Sequence, residues 1–399
     1  MKKPIFFLKK LTSIFGKKTM NIIHFIKIEK IEKTLFIFSF IVNSLFLLTY
    51  RHYLWDLNVY KLAVNTFNDG ASPYLHLEGL RFVYSPYVLY ALSYCGAALT
   101  FTLIGLSFVS FILLLKQEFG RKIIFYSIVS SLVFFNDFLF KSVATGNITA
   151  FLHFTVIAAA CFSQNRKINI FLFVVCISSI VKPYFLAYLI LGAIMRSNFR
   201  QYCLQACLTV GIFVVIFSSQ IILFPSLFNE FLTSLSAQAL GNMEGPGRDV
   251  GLAPYAMFGG VVDRTYAIGL HFVVVLLGGY LLLCLGKNAA KNLNSKDTTK
   301  LFFFLCLIII TFLNPRMKVY DYWVEVAAST GIVFTLLRKL ELTQQIKWKK
   351  ILLIGALITM LFAVTKDKHA FILQVYLPPF FAIGACFHFI QLQHTIKPE

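Results

Sequence analysis

Residues 168–195 read INIFLFVVCISSIVKPYFLAYLILGAIM, an apolar stretch interrupted at its middle by Lys182-Pro183 and bracketed by Arg166, Lys167 and Arg196. A helix rises roughly 1.5 Å per residue, so residues 168–182 reach only about 22 Å, short of a hydrocarbon core of about 30 Å. The halves 168–182 and 184–195 therefore read as a helical hairpin that turns below the far surface of a bilayer. Non-helical backbone at that depth is tolerated only inside protein or beside a water-filled cavity. A Lys there costs roughly 2.5–3.5 kcal/mol on insertion scales. Lys182 thus either lines a functional cavity or snorkels its four-carbon stem to the headgroups.

Outward from this hairpin the pattern repeats. Of the 399 residues, 58% are hydrophobic and 14% charged, with mean hydropathy +0.76; soluble domains carry roughly 25% charged residues. Apolar runs fall at 34–50, 87–115, 123–140, 148–163, 202–224, 265–286, 301–313, 322–337, 351–365 and 370–391. With the hairpin they predict an all-α, polytopic membrane bundle of about 12 transmembrane helices. No run alternates as a membrane barrel does. The net charge of +20 is not a nucleic-acid signature, because the Lys and Arg residues concentrate in alternate loops (1–33, 116–122, 166–167, 196–200, 287–300, 338–350 and 397) rather than on one soluble face. Those loops are assigned to the cytoplasm by the positive-inside rule. The expectation is a plasma (inner) membrane protein with both termini cytoplasmic, a basic lead-in at 1–33, a transmembrane domain at 34–399, and outer loops at 51–86 and 225–264. The eight Cys residues form no metal-ligand or redox pair and read as small core hydrophobes.

The first outer segment carries the chemistry. Leu57, Tyr60, Leu62, Ala63, Val64 and Phe67 space as an interfacial amphipathic helix, closed by Asn68, Asp69 and Gly70. Asp56 opens that helix beside Trp55, an anchor at headgroup depth. The carboxylate serves either as a helix cap or as the acid of an outward site. The other outward acids make no Asp-x-Asp pair, and the eight His residues are scattered without ligand spacing, so no metal and no cofactor is expected. The loop 241–255, rich in Gly and Pro and carrying Arg248, reads as a mobile lid or as a flexible linker.

Three stretches together resemble glycosyltransferase family 87, membrane transferases of the GT-C type that use polyprenyl-phosphate sugars. The first comprises Asp56, Tyr60, Ala63, Gly70, Pro73, Tyr74, Tyr84 and Pro86. The second comprises Gly146, Asn147, Arg166, Lys182, Pro183, Arg196 and Arg200, with Asn147 where the family usually has Gln. The third comprises Asn314, Pro315, Arg316, Tyr320 and Asp321, where Lys318, Tyr320 and Asp321 stand in the place of a His that many members carry. The resemblance runs from about 55 to 200 and again near 314–323.

It implies an inverting hexosyltransferase, with mannose the candidate sugar, that takes its donor from a polyprenyl phosphate and serves a lipid or glycan acceptor on the non-cytoplasmic face. It assigns Asp56 the role of general base, and Tyr60, Tyr84, Asn147, Tyr320 and Asp321 to the sugar or acceptor. A departing phosphate needs fixed cations; Lys182, Arg316 and Arg248 are the candidates, with Arg81 and Lys318 behind them, and for each Arg a lipid headgroup contact is the alternative. A lipid-linked oligosaccharide polymerase or ligase would share the topology but depend on the 225–264 loop. A transporter would show paired interrupted helices, and only 182–183 is such a site.

Overall fold

The structure, a computed structural model, describes residues 55–74, 82–96, 145–163, 168–196, 198–241, 264–291, 293–314, 321–342 and 368–395. These residues are helical with no strand among them. In chain order the helices are α1 (Trp55–Asn68), α2 (described over 86–96), α3 (Ile148–Ser163), α4 (Asn169–Val181), a 3₁₀ turn (Pro183–Tyr188), α5 (Leu189–Met195), α6 (Phe199–Leu223), α7 (Pro225–Gly241), α8 (Arg264–Ala290), α9 (Ser295–Leu313), α10 (Tyr322–Leu342) and α11 (Lys368–Thr395). The apolar runs read at 34–50, 123–140 and 351–365 lie outside the described residues.

The apolar stretch 168–195 breaks where the sequence demands it, into α4, the 3₁₀ turn and α5. Proline disfavours helical backbone in the residue before it, and Lys182 is extended at φ −144°, ψ 109°. Its amide still closes α4 on the Ser178 carbonyl at 3.0 Å, and its carbonyl accepts from the Phe185 amide at 3.0 Å to start the 3₁₀ turn. Short polar residues start the neighbouring helices. Asn198 accepts from the Gln201 amide at 3.1 Å ahead of α6, and Asn294 from the Asp297 amide at 2.8 Å ahead of α9; such caps stabilise a helix by about 1 kcal/mol each.

Two apolar clusters organise the packing. The larger draws on α3, α4, the 3₁₀ turn, α5 and α8 to α11. Within it α8, α9, α10 and α11 close a ring, each packing against the next. At one contact in that ring a Cβ on Gly286 of α8 would meet the end of the Leu305 side chain of α9 at 2.2 Å, so a larger residue there would require Leu305 to shift. The smaller cluster is built from Val59, Tyr60, Ala63, Tyr74, Phe82, Tyr84, α2 and α7. Ile148 and Val181 pack against both, placing the start of α3 and the end of α4 at the junction.

Two helices, Phe199–Leu223 and Tyr266–Ala290, are long and apolar enough to cross a membrane, and only 17% of each apolar window is buried. Their outward residues are large and apolar, among them Leu208, Val215, Ile222, Leu276 and Leu281. The inward residues of α6 include Thr209 and Gln220, and those of α8 include His271. This arrangement is the reverse of a water-soluble helix, which hides its apolar stripe.

Two sequence expectations change. The segment 225–264 is not loop throughout: α7 occupies its first part because Phe228 and Phe231, three apart, bury against the aromatic cluster around Tyr74 and Phe82. The proposed lid at 241–255 lies, apart from Gly241, outside the described residues. The cysteines are not uniformly core residues either. Cys161, Cys176, Cys306 and Cys386 are buried, whereas Cys95 and Cys207 are exposed.

Candidate functional site

The site is built from the start of α1 and the break after α4. Asp56 is the second residue of α1 and half-buried, one position past the helix start, where a carboxylate also meets the positive end of the helix dipole. The amides of Asp56 and Leu57 donate to the Thr145 carbonyl at 2.9 and 3.3 Å, which pins α1 to the turn before α3. That turn requires glycine. Gly146 has φ +69°, and a Cβ there would stand 3.1 Å from the Leu57 Cβ. Asn147 is buried and uses its side-chain oxygen as a helix cap, accepting from the Thr149 amide at 2.8 Å.

One turn beyond Asp56, the Tyr60 hydroxyl accepts from the Ile148 amide at 3.0 Å and lies 3.0 Å from the Tyr84 hydroxyl. The two rings meet edge to face with centroids 5.4 Å apart. Burial, then the Tyr84 hydroxyl and the Asp56 carboxylate, hold the Tyr60 phenol well above the usual tyrosine range. Tyr84 is held from behind, its carbonyl accepting from the Tyr74 hydroxyl at 2.9 Å. On the other side the Lys182 ammonium sits 5.6 Å from the Tyr84 ring centroid, within the range of a cation–π contact. Asp56, Tyr60, Tyr84 and Lys182 thus follow one another in space although they come from three separated segments.

Behind Lys182 lies a second polar group. His153 of α3 bonds Asp321 through Nε2 at 2.9 Å and the Tyr188 hydroxyl through Nδ1 at 2.6 Å. The Tyr184 hydroxyl is 2.7 Å from His153 Nε2 and donates to Asp321 Oδ1 at 3.2 Å. Asn314 Nδ2 donates to the other carboxylate oxygen at 3.1 Å. One proton arrangement satisfies every partner: a neutral His153 with its proton on Nε2 donates to an ionised Asp321, and Tyr188 donates to Nδ1. Asp321 is buried, and its charge is compensated by three donors, His153, Tyr184 and Asn314.

Of the residues singled out in the sequence, the structure brings together Asp56, Tyr60, Tyr84 and Lys182, bonds Asp321 to a His153 that lies within electrostatic reach of Lys182, and puts Asn147 at the head of α3. Arg81, Arg248, Arg316, Lys318 and Tyr320 lie outside the described residues. Sequence reasoning missed His153, Tyr184 and Tyr188. A signal existed for the first, since an ionisable side chain inside an apolar run is by default a candidate site, and His153 lies six residues past Asn147 in such a run. Among the described residues no group of three His, Cys, Asp or Glu could hold a metal ion. No family model matches the chain, and no curated protein matches it.

Proposed function

We propose that this chain is a polytopic inner-membrane glycosyltransferase of the GT-C type, similar to family 87, that transfers a hexose from a polyprenyl phosphate to a lipid or glycan acceptor outside the cytoplasm. The observation that carries the reading is the run Asp56, Tyr60, Tyr84, Lys182: an acid at the head of the amphipathic α1 facing, across two tyrosines, a cation at a broken helix. The outward apolar faces of α6 and α8 support the bilayer setting. In this reading about 12 spans cross the membrane, both termini are cytoplasmic, and α1 lies at the outer interface.

A polyprenyl tail keeps its phosphate and sugar at that interface. The acceptor oxygen attacks the anomeric carbon while its proton passes to the Asp56 carboxylate, and the bond from that carbon to the phosphate oxygen breaks with its electron pair leaving on the phosphate. A positioned base contributes about 10²–10⁴-fold to such a step, and the configuration inverts. Lys182 stabilises the developing phosphate charge, with Arg316, Arg248, Arg81 and Lys318 as further cations from the outer loops. Tyr60 and Tyr84 form the wall between base and cation, and the His153–Asp321 group fixes the backbone turn from which Lys182 projects.

A polyprenyl phosphate carrying a photoreactive group near the phosphate tests the placement. Adducts are expected in peptides containing Asp56 to Tyr60, Tyr84 or Lys182 to Tyr184. Adducts confined to the outward faces of α6 and α8 would overturn it.

A further inference from the structure

The ring of α8 to α11 holds an acid that the transfer reaction does not use. Glu325, one helical turn past Asp321, is wholly buried, and among the described residues neither of its carboxyl oxygens has a hydrogen-bond partner. Each helix of the ring brings a group to its level. Tyr376 of α11 lies within electrostatic reach of the carboxyl group. The Tyr376 ring stacks on Phe312 of α9 with centroids 5.7 Å apart and planes 23° from parallel. His271 of α8 is buried within electrostatic reach of the Phe312 backbone. Directly before α10, four residues from Glu325, stands Asp321, whose carboxylate is occupied by His153, Tyr184 and Asn314. No Lys or Arg occurs at 265–286, 301–313, 322–337 or 369–391, so these four helices offer no counter-cation in their apolar lengths.

A carboxylate in such a place would have neither partner nor solvent. The dipole at the start of α10 favours the charged form, but helix-end effects are about an order of magnitude smaller than the penalty of removing an ionised carboxylate from water. Buried ionisable residues of membrane helices mark ion pathways and proton relays, and a proton is the ligand that a lone buried carboxyl group can hold. We propose that Glu325 is a proton-binding site of the C-terminal helix ring, neutral in the resting protein. Because Glu325 lies four residues past Asp321, at the start of the same helix, releasing that proton sets a second negative charge one turn from the Asp321 carboxylate, which links the proton to the His153–Asp321 network. The site stands independently of the transferase reading.

Infrared spectroscopy of the purified full chain in lipid nanodiscs tests it without a transfer assay. At neutral pH the chain shows a protonated-carboxyl stretching band that shifts when the protein is grown with glutamate carrying ¹³C at the side-chain carboxyl, and that disappears in Glu325→Gln. Absence of a shifting band in the native chain overturns the proposal, and this arm holds even where the variant does not fold. A band that persists in a folded Glu325→Gln protein also overturns it, since the proton then belongs to another glutamate.

Discussion

Replacing Asp321 by Ala removes the acceptor shared by three groups: His153 Nε2 at 2.9 Å, the Tyr184 hydroxyl at 3.2 Å and Asn314 Nδ2 at 3.1 Å. A buried donor left without a partner costs about 1–3 kcal/mol, so three would cost up to about 9 kcal/mol if none relaxed. Tyr184 is only half-buried and can turn toward solvent, which brings the estimate to the roughly 3–5 kcal/mol typical of breaking a buried charged pair. Asp321→Asn keeps the shape and one acceptor oxygen, but opposes an amide donor to Asn314 unless that side chain flips. Its cost is therefore about 1–2 kcal/mol. Denaturant unfolding in mild detergent, followed by tryptophan fluorescence, measures both, with Trp323 close to the His153 ring as an internal reporter. Equal and small losses for the two variants, below about 1 kcal/mol, would refute the assignment of Asp321 as the ionised hub of the network.

Other outcomes follow from single contacts. Gly146→Ala forces a side chain into left-handed backbone at φ +69° and against Leu57; a loss of about 1–2 kcal/mol from the backbone alone is expected in the same unfolding assay, and hexose transfer falls with it because the head of α1 shifts. Tyr60 is held neutral in the folded chain by burial first, then by Tyr84 and Asp56. Its contribution is therefore intact below the ordinary tyrosine value of about 10 and declines as pH rises above it. Tyr60→Phe flattens that alkaline decline while lowering neutral stability by about 1–3 kcal/mol, since the Ile148 amide loses its acceptor, and an unchanged alkaline slope would contradict the assignment. Val215, 70% exposed near the middle of α6, faces lipid in this account. Val215→Lys should raise the apparent insertion free energy of that segment by about 2.5–3.5 kcal/mol, and a neutral effect in an insertion assay would argue for a water-facing helix.

The fold was most legible where one local rule acts alone. The break at Lys182-Pro183 followed from the proline, and α3 begins and ends where the apolar run does. The helix Trp55–Asn68 was readable from its spacing and from Gly70, whose φ of +78° ends it. Helix α7 was not, because its two burying residues are separated by Asn229 and Glu230 and flanked by Ser and Thr, and their value depends on Tyr74 and Phe82, far away in sequence. The candidate site divides in the same way. Asp56 and Lys182 stand out because each is a charge at an interface or in an apolar run. His153 and Asp321 become a pair only when α3 and the start of α10 are brought together across 168 residues, and no periodicity or spacing encodes that contact.

The most direct measurement separates binding from turnover in Asp56→Asn, using purified protein in nanodiscs with a radiolabelled polyprenyl-phosphate hexose. The account predicts donor affinity within about twofold of the unaltered chain and transfer lowered by about 10²–10⁴-fold, since the amide keeps the shape of the carboxylate but cannot take the acceptor's proton. Transfer at near-native rates by this variant would contradict the claim that Asp56 is the base.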